Sequence, residues 1–195
     1  MSPLSEDWAC VDAFLKGDPE AFNRLFSKYK GLVLNLAFRF VARREAAEDV
    51  AQDVFLKIYE KKVKVDPSAK FTTWLYRVTV NTALDVVRKR KYLKFILDES
   101  REGEEGPGQT ALEALSDPAS VSPGQALADD ELRALVREEI QCLPEKLKVP
   151  ILLYQFQDTP QEEIAAILGI SKKAVERRIA HAKEHLRKSL SERLK

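Results

Sequence analysis

The chain has 195 residues, 45% of them hydrophobic and 32% charged, and a formal net charge of +1. That is material for one or two modest cores and excludes a fibrous or collagen-like polymer. No apolar run reaches the roughly 20 residues that span a bilayer, and "MSPLSEDWACVDAFLKGDPEAF" lacks the basic start and apolar core of a secretory signal, so no membrane insertion and a cytoplasmic location are expected. Cys10 and Cys142 lie far apart and match no metal or redox spacing, so no disulfide framework, zinc site or other cofactor is expected. Both read as small, buried or half-buried thiols.

The near-neutral total conceals a segregation. Residues 1–97 carry 18 Lys and Arg against 12 Asp and Glu, residues 98–132 carry 1 against 10, and residues 133–195 carry 13 against 9. The acidic stretch is rich in Gly, Pro and Ser and poor in large apolar side chains, so it cannot bury enough surface to offset the entropy of ordering. The expected organisation is an all-α chain of two small helical domains, 1–97 and 129–195, joined by a flexible acidic tether over 98–128. A short helical turn around Ala111 to Leu115 fits within that tether. In the first domain, apolar residues at three- and four-residue steps predict helices near 8–16, 19–42, 44–62 and 69–93. "GDPEAF" starts the second of them, with Asp18 as N-cap and Pro19 at the first helical position.

The third predicted helix, "REAAEDVAQDVFLKIYE" at 44–60, places Glu45, Glu48, Asp49, Gln52 and Asp53 on one side and Ala47, Val50, Ala51, Val54, Phe55 and Ile58 on the other. Asp49 and Asp53 are like charges at i,i+4, which costs an isolated helix about a few tenths of a kcal/mol. An acidic face in a basic domain suits a basic protein partner, or simply a solvated surface.

In "KFTTWLYRVTVNTALDVVRKRK", residues 70–91, Arg77, Asn81, Asp85 and Arg88 fall on the same side as Trp74, while apolar residues cover most of the remaining circumference. Such a helix is nearly surrounded by protein and keeps one polar stripe. An exposed Trp beside Arg, Asn and a basic tail offers single-stranded nucleic acid a stacking plate, an amide for a base edge and cations for the backbone. A core Trp with an Asp85–Arg88 ion pair fits the same residues.

Two or three helices are expected in the second domain, whose clearest part is "TPQEEIAAILGISKKAVERRIAHAKEHLR" at 159–187. Thr159 as cap, Pro160 in the first turn and Glu162 completing a capping box predict one short helix with Ile164, Ala165, Ile167 and Leu168 inward. Gly169 suits the left-handed turn that ends it, and Ser171 caps the next, giving a helix-turn-helix. Val175, Ile179, Ala182 and Leu186 form the buried stripe of the second helix, while Lys173, Arg177 and Ala180 point away. Such a face fits a major groove, with Lys173, Glu176 and Arg177 as base readers and Lys172 and Arg178 as phosphate contacts.

Taken together, "GDPEAFNRLFSKY", "EAAEDVAQDVFLKIYE", "FTTWLYRVTVNTALDVVRKRK", the acidic linker, "CLPEKLKVPILLYQF" and "EEIAAILGISKKAVERRI" resemble a bacterial RNA polymerase sigma factor of the extracytoplasmic-function type in the sigma-70 family. The resemblance spans nearly the whole chain outside the linker. It implies that Glu48, Asp49, Gln52 and Asp53 dock on core RNA polymerase, at the coiled coil of its largest catalytic subunit. It further implies that the loop "KVDPSAKF" and the following helix open the minus-ten element, with Asn81 near the pocket of an extruded base and Lys70, Phe71, Trp74, Arg77 and Arg88 around it. The helix-turn-helix, through Ser171, Lys172, Lys173, Glu176, Arg177 and Arg178, would read the minus-thirty-five element as duplex. An anti-sigma factor is a further implied partner.

The sequence departs from the family pattern at Asp158, where a glycine is usual, at Ala174 for threonine and at His181 for arginine. Pro150 falls in the expected preceding helix, which must then start late or kink. The rival reading is a dimeric helix-turn-helix regulator with an N-terminal interaction domain. Enzymatic chemistry finds no support. His181 and His185 are spaced i,i+4, but position 182 is Ala where a metalloprotease motif needs Glu, and no third ligand is in view.

Overall fold

The computed structural model describes residues 6–60, 62, 68–99 and 123–194, and every regular element among them is an α-helix. The chain forms two compact units, Met1–Leu112 and Glu113–Lys195. None of the described helices is long and apolar enough to cross a membrane. Most of the expected tether, with the turn near Ala111, lies outside the described residues.

The first unit contains α1 (Glu6–Leu15), α2 (Pro19–Val41), α3 (Arg44–Tyr59) and α4 (Phe71–Glu99). Helix α2 starts as its sequence dictates. Asp18 is extended, and its carboxylate accepts the Glu20 N–H at 3.0 Å with Pro19 next in line. It ends at Ala42, which takes a left-handed conformation (φ 55°) and donates its N–H to the Phe38 carbonyl at 2.8 Å. Trp8, Leu25, Leu36, Phe40, Ile58 and Leu75 are fully buried where the four helices meet. Removing each such side chain from water contributes about 1.5–3 kcal/mol. Helix α1 is fastened to α2 by Asp7, which accepts from Lys28 Nζ at 2.6 Å and from the Tyr29 hydroxyl at 2.8 Å. Burial, then the hydrogen bond to Asp7, pushes the Tyr29 hydroxyl up to about 12. The hydrogen bond to Asp7 raises the Lys28 amine to about 12 as well.

The second unit contains α5 (Pro123–Cys142), α6 (Glu145–Phe156), α7 (Gln161–Leu168) and α8 (Lys172–Arg193). These are four helices rather than two or three. The extra one begins inside the stretch assigned to the tether, because no Gly or Pro follows Gly124 until Pro144. Near its end, Glu139 accepts from the Ser189 hydroxyl and from Arg193 Nη1 at 2.7 Å. Those two bonds, Ser189 first, hold its carboxyl below the usual range. Buried Lys148 donates to the Gln141 carbonyl at 2.6 Å, joining α6 to α5. Helix α6 begins before Pro150 and continues past it instead of starting after it, giving up the bond to the Lys146 carbonyl.

The capping box before α7 does not form. Pro160, not Thr159, occupies the N-cap, so the Thr159 hydroxyl lies one residue too early and donates to the Gln157 carbonyl at 3.4 Å. The remaining turn signals act as expected. Gly169 is left-handed (φ 64°), and the Ser171 hydroxyl accepts the Ala174 N–H at 3.2 Å. Asp158 is also left-handed (φ 46°), a conformation that glycine adopts freely and that Asp is among the few other residues to tolerate. Cys10 is half-buried, but Cys142 is exposed, contrary to expectation.

A Cβ on Gly169 would meet no atom within 4 Å, so Gly169→Ala changes backbone strain alone. It is expected to destabilise the second unit by about 1–2 kcal/mol, while Ala42→Gly stabilises the first by about 1 kcal/mol. Thermal denaturation of the two variants checks both signs.

Candidate nucleic-acid interface

Over residues 71–87, helix α4 presents one exposed line on an otherwise enclosed cylinder, and residues 88–93 beyond it are exposed on all sides. Phe71, Leu75, Tyr76, Val80, Ala83 and Leu84 are buried, whereas Arg77, Asn81, Asp85 and Arg88 are exposed. Three threonines, Thr73, Thr79 and Thr82, are buried among the apolar residues. One is satisfied within the helix and one from α3: the Thr79 hydroxyl donates to the Leu75 carbonyl at 2.8 Å, and Thr82 Oγ1 accepts from Lys57 Nζ at 2.7 Å. At the head of the stripe, Trp74 is half-buried, with Lys70 exposed beside it. Phe71, expected at the nucleic-acid surface, is 1% exposed. It lies behind Trp74, ring centroids 5.7 Å apart and 26° between planes, and supports that ring rather than offering a surface of its own. Arg88 pairs with Asp85 at 3.3 Å, the ion pair that the i,i+3 spacing allows. Residues 64–67 of the preceding loop lie outside the described residues.

Helix α8 has the opposite geometry. Val175, Ile179 and Ala182 are buried and Leu186 is half-buried, while Lys173, Glu176, Arg177 and Ala180 are exposed. Arg178 is half-buried, at the edge of that face. The Ser171 hydroxyl is engaged in the helix cap. Lys172, expected to meet a phosphate, pairs with Glu162 of α7 at 2.5 Å across the turn. That bond raises the Lys172 amine and lowers the Glu162 carboxyl relative to their ordinary values.

Helix α3 exposes Glu48, Asp49, Gln52 and Asp53 along one side, and Arg44 pairs with Glu48 at 3.0 Å. Beside this acidic line runs a feature that sequence reasoning missed, a groove of about 710 Å³ between α2 and α3. Phe22, Phe26, Leu34, Phe55, Leu56 and Tyr59 line it, with Glu48 and Gln52 at its rim. Phe26, Leu56 and Tyr59 are 40%, 44% and 60% exposed, which is unusual for side chains so apolar. Gly31 also borders the groove, and a Cβ there would meet nothing within 4 Å, so the glycine leaves open space at a helix-interior position where it costs about 0.5–1 kcal/mol relative to Ala. The signal available in the sequence was Phe22 and Phe26 at i,i+4, together with Leu56 and Tyr59 standing outside the apolar side of α3.

Comparison with known proteins accounts for this combination. Residues 25–92 match the family model for sigma-70 region 2, and residues 133–186 match that for sigma-70 region 4. The chain is 34% identical to the RNA polymerase sigma-H factor of Pseudomonas aeruginosa, over 97% of this chain and 96% of that one. It is 34% identical to the ECF RNA polymerase sigma factor SigW of Bacillus subtilis, over 90% and 91%, and 34% identical to the ECF RNA polymerase sigma-E factor of Escherichia coli, over 94% of each. In fold it is similar to CnrH, solved in complex with the cytosolic domain of CnrY (TM-score 0.66, 24% identity, 96% of this chain and 98% of that one). It is also similar to the sigma factor RpoE of Bartonella quintana, solved with the anti-sigma factor NepR (TM-score 0.59, 19% identity, 87% and 96%). These matches favour transcription initiation over the dimeric-regulator alternative. With sigma-70 matches in both helical units and full-length relatives at this identity, the chain belongs to the extracytoplasmic-function sigma factors of the sigma-70 family.

Proposed function

We propose that three surfaces divide the work of this sigma factor: α3 docks on core RNA polymerase, α4 captures the melted strand of the minus-ten element, and α8 reads the minus-thirty-five element as duplex. The observation that carries the reading is the exposed stripe of α4, Arg77–Asn81–Arg88 below a half-buried Trp74, on a helix that protein otherwise encloses over residues 71–87. Unpaired bases need an aromatic plate and polar groups within one narrow line. Extruding a base costs about a few kcal/mol, which the stacking and hydrogen bonds of such a line offset. Duplex recognition needs instead a protruding helix with small and cationic residues outward, as on α8. Neither surface does covalent chemistry, in keeping with a family of initiation factors that are not enzymes in themselves.

Docking draws on two kinds of attraction. The acidic line of α3 steers and orients a basic partner, and the groove beside it supplies the apolar area that gives the contact its strength. An anti-sigma factor, the kind of partner that holds the B. quintana relative, would silence this chain by covering the same acidic line and groove. The protein acts in the cytoplasm, where core polymerase and promoter DNA are found.

Transcription by purified core polymerase on a randomised promoter library, with and without this chain, tests the whole reading; transcripts that do not depend on the added chain would reject it. At the level of residues, the double charge reversal Asp49→Lys/Asp53→Lys is expected to weaken core binding by at least about tenfold, with circular dichroism and melting temperature unchanged. Arg177→Ala is expected to cost about 1–3 kcal/mol and to relax one position of the minus-thirty-five element, measured by binding to single-base variants of the duplex. Asn81→Ala is expected to leave core affinity intact and flatten discrimination among minus-ten sequences; unchanged discrimination would remove Asn81 from the pocket.

A further inference from the structure

Trp8 is 1% exposed and lies on α1, which precedes the segment matched by the region 2 family model. A buried indole needs an acceptor for its N–H. Here Nε1 donates to the Ala69 carbonyl at 2.6 Å, a link across 61 residues. Ala69 adjoins Lys70, whose own carbonyl accepts the N–H groups of Thr73 and Trp74 at 3.1 and 3.4 Å and so starts α4. The same indole stands edge-on to Phe71, with centroids 5.2 Å apart and 86° between planes. It also lies 6.4 Å from Trp74 at 60°. One residue earlier, Asp7 holds α1 to Lys28 and Tyr29 of α2, and the Tyr29 ring is 5.3 Å from Phe71. The plane of Trp74 is thus set by a train of contacts that begins on α1 and not by α4 alone.

From this we infer that Trp8 is a positioning residue for strand opening: it fixes the first turn of α4 and the tilt of the Trp74 ring on which an extruded base is to stack. The inference rests on the reading of the α4 stripe as the melted-strand site. A stacking plate captures a base well only if its plane is preset, because a ring that must be ordered on binding loses part of its gain to that ordering. Trp8 supplies the presetting twice, by an N–H that anchors the backbone before α4 and by a ring edge that backs Phe71. It touches no DNA itself.

The test uses holoenzyme reconstituted from the full chain and core polymerase, on a promoter that the wild-type holoenzyme selects from a randomised library, with 2-aminopurine in the minus-ten element to report unstacking. Trp8→Phe keeps an aromatic ring and removes the N–H. It is expected to slow opening about tenfold, the effect of one lost hydrogen bond and a half-buried carbonyl left without its donor. Affinity for core polymerase and for minus-thirty-five duplex should stay within about twofold of wild type, and on the same promoter pre-opened by mismatches the defect should largely disappear, since the strands no longer need separating. Asp7→Asn, which loosens α1 without altering the indole, should repeat the pattern in weaker form and serves if Trp8→Phe does not fold. Opening at the wild-type rate by both variants overturns the inference. Equal losses on duplex and pre-opened promoters, together with lost core affinity, overturn it in favour of a packing role. Trp74→Ala separates the two layers: if it opens promoters normally, the α4 reading fails and this inference with it; if it is defective while Trp8→Phe is normal, only the role of Trp8 falls.

Discussion

Helix α4 can hold Arg77, Asn81, Asp85 and Arg88 in one exposed line because protein occupies the rest of its circumference over residues 71–87. A helix free on several faces would let those side chains splay and would leave Trp74 to choose among rotamers. Here α2 and α3 close around it, and even its threonines are turned inward and bonded. The enclosure converts a mixture of aromatic, amide and cationic residues into an ordered surface, and in the proposed reading it lets a segment so apolar serve a charged polymer.

The two units solve different problems with the same secondary structure. In the first, the functional helix is buried and its opening is narrow; in the second, α8 is packed along Val175, Ile179 and Ala182 and displays its other faces. A melted strand must be taken in, whereas a duplex can be approached from outside. The groove between α2 and α3 adds a third mode, apolar and bordered by acid, suited to protein rather than nucleic acid.

Much of this was legible because the relevant chemistry is local. Asp18 and Pro19 announce the start of α2, Gly169 and Ser171 announce the turn before α8, and the angular spacing of Arg77, Asn81 and Arg88 announces the stripe. What escaped depends on residues distant in sequence. Phe71 looks like a surface aromatic until Trp8 and Tyr29 close over it. The groove is shared between Phe22 and Phe26 of one helix and Leu56 and Tyr59 of another, so neither half reads as a site. Thr159 carried a correct capping pattern one residue out of register, because Pro160 at the N-cap shifts the start of α7. Acidic composition over 98–132 also masked the start of α5, since the helix formers of 125–132 were averaged with the glycines and prolines of 103–124.

The contact between Lys172 and Glu162 has a further result. The counterions released when a protein meets DNA are those condensed on the phosphates, and a lysine whose charge is already matched by a neighbouring carboxylate neutralises less phosphate charge and so releases fewer of them. In the proposed contact of α8 with duplex, part of its positive charge is thereby matched within the protein, and sensitivity to ionic strength would fall below what a tally of its cations gives. On that reading a larger share of the grip would pass to base edges.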